Sequence, residues 1–322
     1  MTIHNENSRV KIPALVHFTR LGYEYISLKK QFSFNDRMLN SAELFDTETN
    51  IIKPIFQKRF LEINRSQSGI EAIDFEKEFQ NIVLELGQND LGRSFYNRLL
   101  GIGNSPYKLI DWENFHKNTF HICTELTCKN GEDEFRPDIT VFINGLPLAF
   151  IEVKKPNNPE GIKAERDRIN TRFKNDKFRK FINITQLLVF SNNMEYDDIG
   201  IDQLQGAFYA TTAKGGNVKF NNFREERKNE LPELPEIKEE TEDFILKDNN
   251  LITHKHTAEF AENKKDSTPT NRILTSLFSK DRLRTMLQYG ITYVDEVNKD
   301  GEEELQKHIM RYPQFFAAKA IR

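Results

Sequence analysis

Cysteine is scarce in this chain: its 322 residues include only Cys123 and Cys128. Two thiols make no disulfide framework, and with no second matching pair they make no zinc site either. Cys123 is read instead as a small core residue of a strand over 120–127. The seven histidines are scattered, and His254-Lys255-His256 falls in a polar loop, so none is read as a metal ligand. No apolar run approaches the ~20 residues of a membrane span. The first residues carry no signal-peptide pattern, so the expected compartment is cytoplasmic. A Gly-rich phosphate loop is missing too, which leaves no motif for ATP. Nor is there an excess of positive charge. A net charge of −3 argues against a protein that coats DNA electrostatically, and the distribution of charge carries more information than its sum.

What is present fits a globular chain with room for a sizeable core: 38% hydrophobic and 30% charged residues. The most informative stretch is Arg136-Pro137-Asp138, a β-branched run Ile139–Ile143, Asn144-Gly145, a second apolar run Leu146–Val153, and Lys154. Asn-Gly between two such runs is a strong hairpin signal. Alternation puts Glu152 and Lys154 on one face of their strand, with Val153 on the other. A two-residue turn pairs Ile143 with Leu146 and sets Asp138 opposite Ile151, on the wrong face. A three-residue loop, or another one-residue offset, brings Asp138 to the face of Glu152. With that offset, Asp138, Glu152 and the Val153 carbonyl offer three oxygens to Mg²⁺, a hard ion that keeps several waters. Lys154 then stands where an attacking water and a phosphate would meet. Without the offset the same residues are an ordinary hairpin ending in a surface Glu–Lys pair.

Around this hairpin the chain reads as α/β. Helices are expected over 13–20, 39–63 with a dent at Pro54, 70–86 and 92–100. A strand over 120–127, the hairpin, a helix over 162–181 and a strand over 186–191 follow, with short strands at 207–212 and 218–220. Residues 163–180 hold eight Lys/Arg against three Asp/Glu, a basic helix that can meet phosphates through Arg168, Asn170, Arg172 and Lys174. Residues 1–225 form one expected α/β domain with an N-terminal helical part. Residues 230–243 hold seven acids and two prolines, so 226–268 is expected to be an acidic, polar, extended linker. From 269 to 322 a helical region is expected, one helix over 270–291 and a second from about 302.

The hairpin closely resembles the nuclease core of the R (restriction, motor) subunits of type I restriction–modification enzymes. Further similar segments are Leu21-Gly22-Tyr23-Glu24-Tyr25, Ser94–Leu100, Leu109-Ile110-Asp111, Leu188–Asn192, Asn271–Leu274 and Arg311–Phe315, so the likeness runs nearly the whole length. It implies a restriction-endonuclease-like, PD-(D/E)xK core with Asp138, Glu152 and Lys154 as catalytic residues and Mg²⁺ as cofactor. It also implies double-stranded DNA and the modification and specificity subunits as partners. The ATP-driven motor would belong to the full-length protein, its phosphate loop beyond Arg322 and its adenine contact at Gln314. Many members carry Gln-x-x-x-Tyr on the helix after the core lysine. Here that helix reads Glu165-Arg166-Asp167-Arg168-Ile169-Asn170-Thr171-Arg172, and Arg168, Asn170 and Arg172 stand in for its polar contacts. Glu76 or Glu78 is the expected source of an upstream acidic ligand. The competing reading keeps the fold without the chemistry, as a DNA-clamping or subunit-docking module.

Overall fold

The apolar runs assemble into one seven-stranded mixed sheet. Its order is Glu24–Tyr25, Phe120–Thr124, Ile139–Ile143, Leu146–Val153, Leu187–Ser191, Ala207–Ala210 and Asn221–Asn222. The first two strands are parallel, as are Leu146–Val153 and Leu187–Ser191, and the other neighbours are antiparallel. Leu146–Val153 is buried at every residue, which explains why it reads as a continuous apolar run rather than an alternating one. The structure, a computed structural model, describes residues 6–65, 73–103, 105–156, 161–196, 205–213, 218–297 and 301–321.

The hairpin turn is two residues long. Asn144 and Gly145 both take positive φ, 51° and 81°, the type I′ geometry that suits a twisted strand pair. The Asn144 side chain is buried; it accepts from Thr119 N–H at 2.9 Å and donates to Asn118 Oδ1 at 2.7 Å. Ile143 pairs Leu146 and Phe142 pairs Pro147, but Val141 then pairs Ala149, Thr140 pairs Phe150 and Ile139 pairs Ile151. Leu148 is the extra residue of a bulge beside Pro147, whose nitrogen has no proton for the ladder. The three-residue loop is therefore not adopted; the offset comes from the bulge. Continuing the register one step sets Asp138 opposite Glu152.

The helix Ile12–Arg20 matches its expected place, entered through a wider turn at Asn7–Lys11. Pro54 does not dent a long helix. Ser41–Leu44 is a separate short helix, and Pro54 lies in the first turn of Lys53–Asn64, where its missing N–H costs nothing. The 70–86 helix starts at Phe75, capped by Asp74 accepting from Lys77 N–H at 3.1 Å; residues 70–72 lie outside the described residues. The 162–181 helix is broken. Gly161–Phe173 ends before Asn175, which caps a short turn leading into Arg179–Ile184. Residues 218–220 are not a strand, and the short edge strand falls at Asn221–Asn222 instead.

The acidic segment differs most from expectation. Glu239–Asp248 is a helix with Ile245 and Leu246 fully buried, and Ala258–Asn263 is a second helix that buries Phe260. Asp248 accepts from Tyr25 Oη and Ser27 Oγ, both at 2.7 Å. Its acids made the segment look solvated, but Glu239 and Glu240 lie in the exposed first turn, where carboxylates favour a helix N-terminus, while buried Glu242 and Asp248 are partnered by Lys264, Tyr25 and Ser27. Residues 270–291 form two helices, Pro269–Phe278 and Lys280–Tyr289, broken at Ser279. Glu303–Ile309 is not helical. It pairs antiparallel with Ile291–Val297, so cross-strand pairing overrides the helix propensity of its Glu, Leu, Gln and Lys residues. Only Tyr312–Ile321 is helix there.

Gly92 opens the helix Arg93–Leu99 with φ of 79°, and a Cβ built on it would meet the Asn183 carbonyl oxygen at 2.3 Å. Gly92→Ala is expected to cost about 2–4 kcal/mol, through strain and a backbone clash that no rotamer relieves. Chemical denaturation of the purified variant measures it, and a loss below ~0.5 kcal/mol would contradict the close approach.

Candidate active site

The two central strands of the sheet deliver Asp138 and Glu152 to one end of the hairpin. Glu152 is the next-to-last residue of Leu146–Val153, and Asp138 immediately precedes Ile139–Ile143. Asp138 Oδ2 accepts from Val153 N–H at 2.9 Å, locking the two strand ends together. Lys154 follows directly, its N–H donating to Ser191 O at 2.8 Å on the parallel neighbour. All three members of the expected triad thus share one end of the sheet.

Five further charged groups join them. Glu165, on the helix Gly161–Phe173, is 1% exposed and lies 3.3 Å from Lys154 Nζ. Arg168 Nη1 approaches Glu165 at 3.0 Å. Arg172 Nη1 bridges Glu165 at 3.6 Å and Glu152 at 3.7 Å. From the start of the chain, Glu6 Oε2 comes within 4.0 Å of Lys154 Nζ, the same separation as Glu152. Buried Lys11 reaches Asp138 at 3.5 Å and hydrogen-bonds Glu125 at 2.6 Å.

Burial dominates the electrostatics. It pushes the Glu152 carboxyl well above the usual carboxylate range, and the Asp138 and Glu165 charges push the same way against Lys154 and Arg172. Glu6 is raised for the same first reason. Burial alone would lower Lys154, but Glu165, Glu152, Glu6 and Asp138 together more than offset it, and its ammonium is held above the usual lysine range. One Glu152 oxygen, Oε1, is buried without a hydrogen-bond partner.

An all-oxygen donor set of Asp138, Glu152 and the Val153 carbonyl suits a hard divalent cation in kind, and the unpartnered Glu152 oxygen suits a further charge. Among the described residues, however, no three His, Cys, Asp or Glu side chains converge closely enough to hold a metal ion. Of the four residues expected to contact DNA, Arg168 and Arg172 belong to the cluster. Asn170 accepts from Val218 N–H at 3.0 Å, and Lys174 is exposed. Glu76 and Glu78 are engaged elsewhere, by Lys53 at 2.8 Å and by Arg98. Glu6 is the upstream acid that meets Lys154.

Glu6, Lys11 and Glu165 were not assigned roles from sequence. Glu165 had a legible signal: Ile162, Glu165, Ile169 and Phe173 form the buried stripe of their helix, and a carboxylate in an apolar stripe needs a partner. Glu6 and Lys11 carried no such signal, because only the tertiary fold brings the start of the chain to the sheet.

The family model of the type I restriction enzyme R protein N terminus matches residues 3–199. Three curated relatives come from Methanocaldococcus jannaschii, each a putative type I restriction enzyme endonuclease subunit. MjaVIIIP is 33% identical over 113 residues, 33% of this chain and 11% of the relative. MjaIXP is 25% identical over 213 residues, 59% and 19% respectively. MjaVIIP is 50% identical over 48 residues, 15% and 4%. The matched parts of this chain thus span less than a fifth of each relative's length.

Proposed function

This chain belongs to the type I restriction enzyme R protein N-terminal family, and from that premise we propose that it is the DNA-cutting module of such an enzyme, hydrolysing phosphodiesters with Mg²⁺. On this reading the sheet end is a PD-(D/E)xK core, in which Asp138, Glu152 and the Val153 carbonyl hold the ion. Bound there, the ion supplies charge neutralisation and a more acidic water. Lys154, charged and anchored among carboxylates, orients the attacking water and faces the negative charge that builds on the phosphate. Arg168, Arg172 and Lys174, with Asn170 on the same helix, border the path of the DNA backbone. Partners are double-stranded DNA and the modification and specificity subunits. Cutting follows translocation driven by ATP at a motor in the full-length protein.

The observation that carries this reading is the bulge at Leu148. It spends one residue in a fully buried strand, and its effect is to place Asp138 across from Glu152. The non-catalytic alternative draws on Lys11, whose ammonium stands 3.5 Å from Asp138, where a cation would otherwise approach. The two part company in a plasmid-cleavage assay with Mg²⁺ and ATP in the assembled complex. Lys154→Ala and Asp138→Ala are each expected to lose cutting by on the order of 10³-fold while ATP hydrolysis continues. Full cleavage by either variant would remove the catalytic reading and leave the clamp.

A further inference from the structure

We propose that Glu165 is a positioning residue for Lys154, holding its ammonium away from Glu152; the inference rests on the catalytic reading above. Three observations carry it. First, among the carboxylates around Lys154, Glu165 is the nearest, at 3.3 Å against 4.0 Å for both Glu152 and Glu6, and the most buried. Second, neither Glu165 oxygen makes a hydrogen bond, although Lys154, Arg168 and Arg172 stand within 3.0 to 3.6 Å. A buried carboxylate in a structural ion pair gains most from well-formed, charge-assisted hydrogen bonds. Glu165 instead sits as a fixed negative point between three cations. Third, it cannot swing away. Ile162 and Ile169, one helical turn to either side, are buried, and Arg172 is itself pinned by its guanidinium lying 4.6 Å over the Phe135 ring.

Lysine is a point charge on a four-carbon stem and settles on whichever anion is closest. With Glu165 neutral, the nearest anions to Lys154 become Glu152 and Glu6. An ammonium drawn onto Glu152 occupies the carboxylate that the reaction needs for the cation, and it leaves the place where water and phosphate meet. Glu165 thus acts through Lys154, not on the substrate. Arg172 bridges Glu165 and Glu152 and fixes the spacing between the two carboxylates.

The test uses the assembled complex with Mg²⁺, ATP and plasmid DNA, comparing wild type, Glu165→Gln, Glu165→Asp and Lys154→Ala. Glu165→Gln keeps the shape and loses the charge. It is expected to lower kcat for cutting by about 10²-fold, the cost of an ångström-scale misplacement. KM for DNA, ATP hydrolysis and melting temperature are expected to stay near wild type. Glu165→Asp keeps the charge and is expected to recover most of kcat. If Glu165→Gln does not reach the native fold, Arg172→Met, which leaves Glu165 charged but unsupported, is expected to lower kcat likewise, with a rise in KM for DNA from its lost backbone contact; an unchanged kcat in that variant overturns the proposal. Wild-type kcat in the neutral variant overturns the proposal, as does a parallel loss of kcat, KM and melting temperature without rescue by Asp. If Lys154→Ala stops cutting while Glu165→Gln does not, this inference alone fails. If Lys154→Ala cuts normally, the catalytic reading fails with it.

Discussion

On the catalytic reading proposed above, Glu152→Gln is expected to abolish DNA cutting and at the same time to raise the melting temperature of the metal-free chain. Cutting would be lost because an amide is a far weaker donor to a hard divalent ion than a carboxylate. The gain in stability follows from the surroundings. Glu152 is almost wholly buried, faces the charges of Asp138 and Glu165, and has one oxygen without a hydrogen bond. Lys154 and Arg172 stand 4.0 and 3.7 Å away, too far to repay desolvation in full. Replacing the charge by a neutral group of the same shape removes a penalty of about 1–3 kcal/mol, while Lys154 and Arg172 keep Glu165 as partner. Differential scanning calorimetry without divalent ions, beside plasmid cleavage, reads both effects. A lower melting temperature would mean that Glu152 is a stabilising ion-pair member, and residual cutting would mean it is not a ligand. Stability yielding to function at one residue is the pattern expected of an active site.

A chain ended after residue 225, at the boundary suggested by composition, is expected to show no cooperative unfolding transition. The helix Ile12–Arg20 is buried along one side by residues that come much later. Ile245, Leu246, Leu274, Leu277 and Phe278 belong to the same apolar cluster as Leu15 and Phe18, and each is no more than 1% exposed. Each such side chain contributes roughly 1.5–3 kcal/mol, so losing them exceeds a typical net stability of ~5–15 kcal/mol once the polar ties are included. Those ties are specific. Tyr23 Oη donates to Phe278 O at 2.9 Å, Arg20 donates to Pro235 O at 2.7 Å, and His17 Nε2 meets Thr275 Oγ1 at 2.7 Å. Thermal melts followed by circular dichroism decide the matter. A truncated chain that melts cooperatively near the temperature of the full chain would restore the linker reading.

The contrast between the two halves shows what local sequence encodes. The sheet was legible because Ile139–Ile143, Leu146–Val153 and Leu187–Ser191 are apolar but for Thr140, Glu152 and Ser191, and buried strands announce themselves that way. Glu152 and Lys154 were legible as a pair because alternation is a property of the backbone. Asp138 was legible only conditionally: the turn type follows from Asn144-Gly145, but the bulge at Leu148 depends on Pro147 within a strand packed on both faces. Residues 226–268 were misread because seven acids in fourteen positions mask Ile245, Leu246 and Phe260, few in number but each buried against the N-terminal helix. The hairpin Ile291–Val297 with Glu303–Ile309 was misread because the Glu, Leu, Gln and Lys residues of Glu303–Ile309 favour helix locally, and only the cross-strand partners in Ile291–Val297 decide otherwise.

The helix Ile12–Arg20 has a consequence for the order of events on the ribosome. It precedes the sheet in the chain, yet its packing partners Glu239–Asp248 and Pro269–Phe278 are made more than two hundred residues later. Contacts of such long range form late. While the sheet is being made, then, this helix has no completed seat, and Glu6 and Lys11, just ahead of it, have no fixed place beside Asp138 and Lys154. The charge cluster closes only when the later helices dock, so a nascent chain carries the sheet but not the finished site.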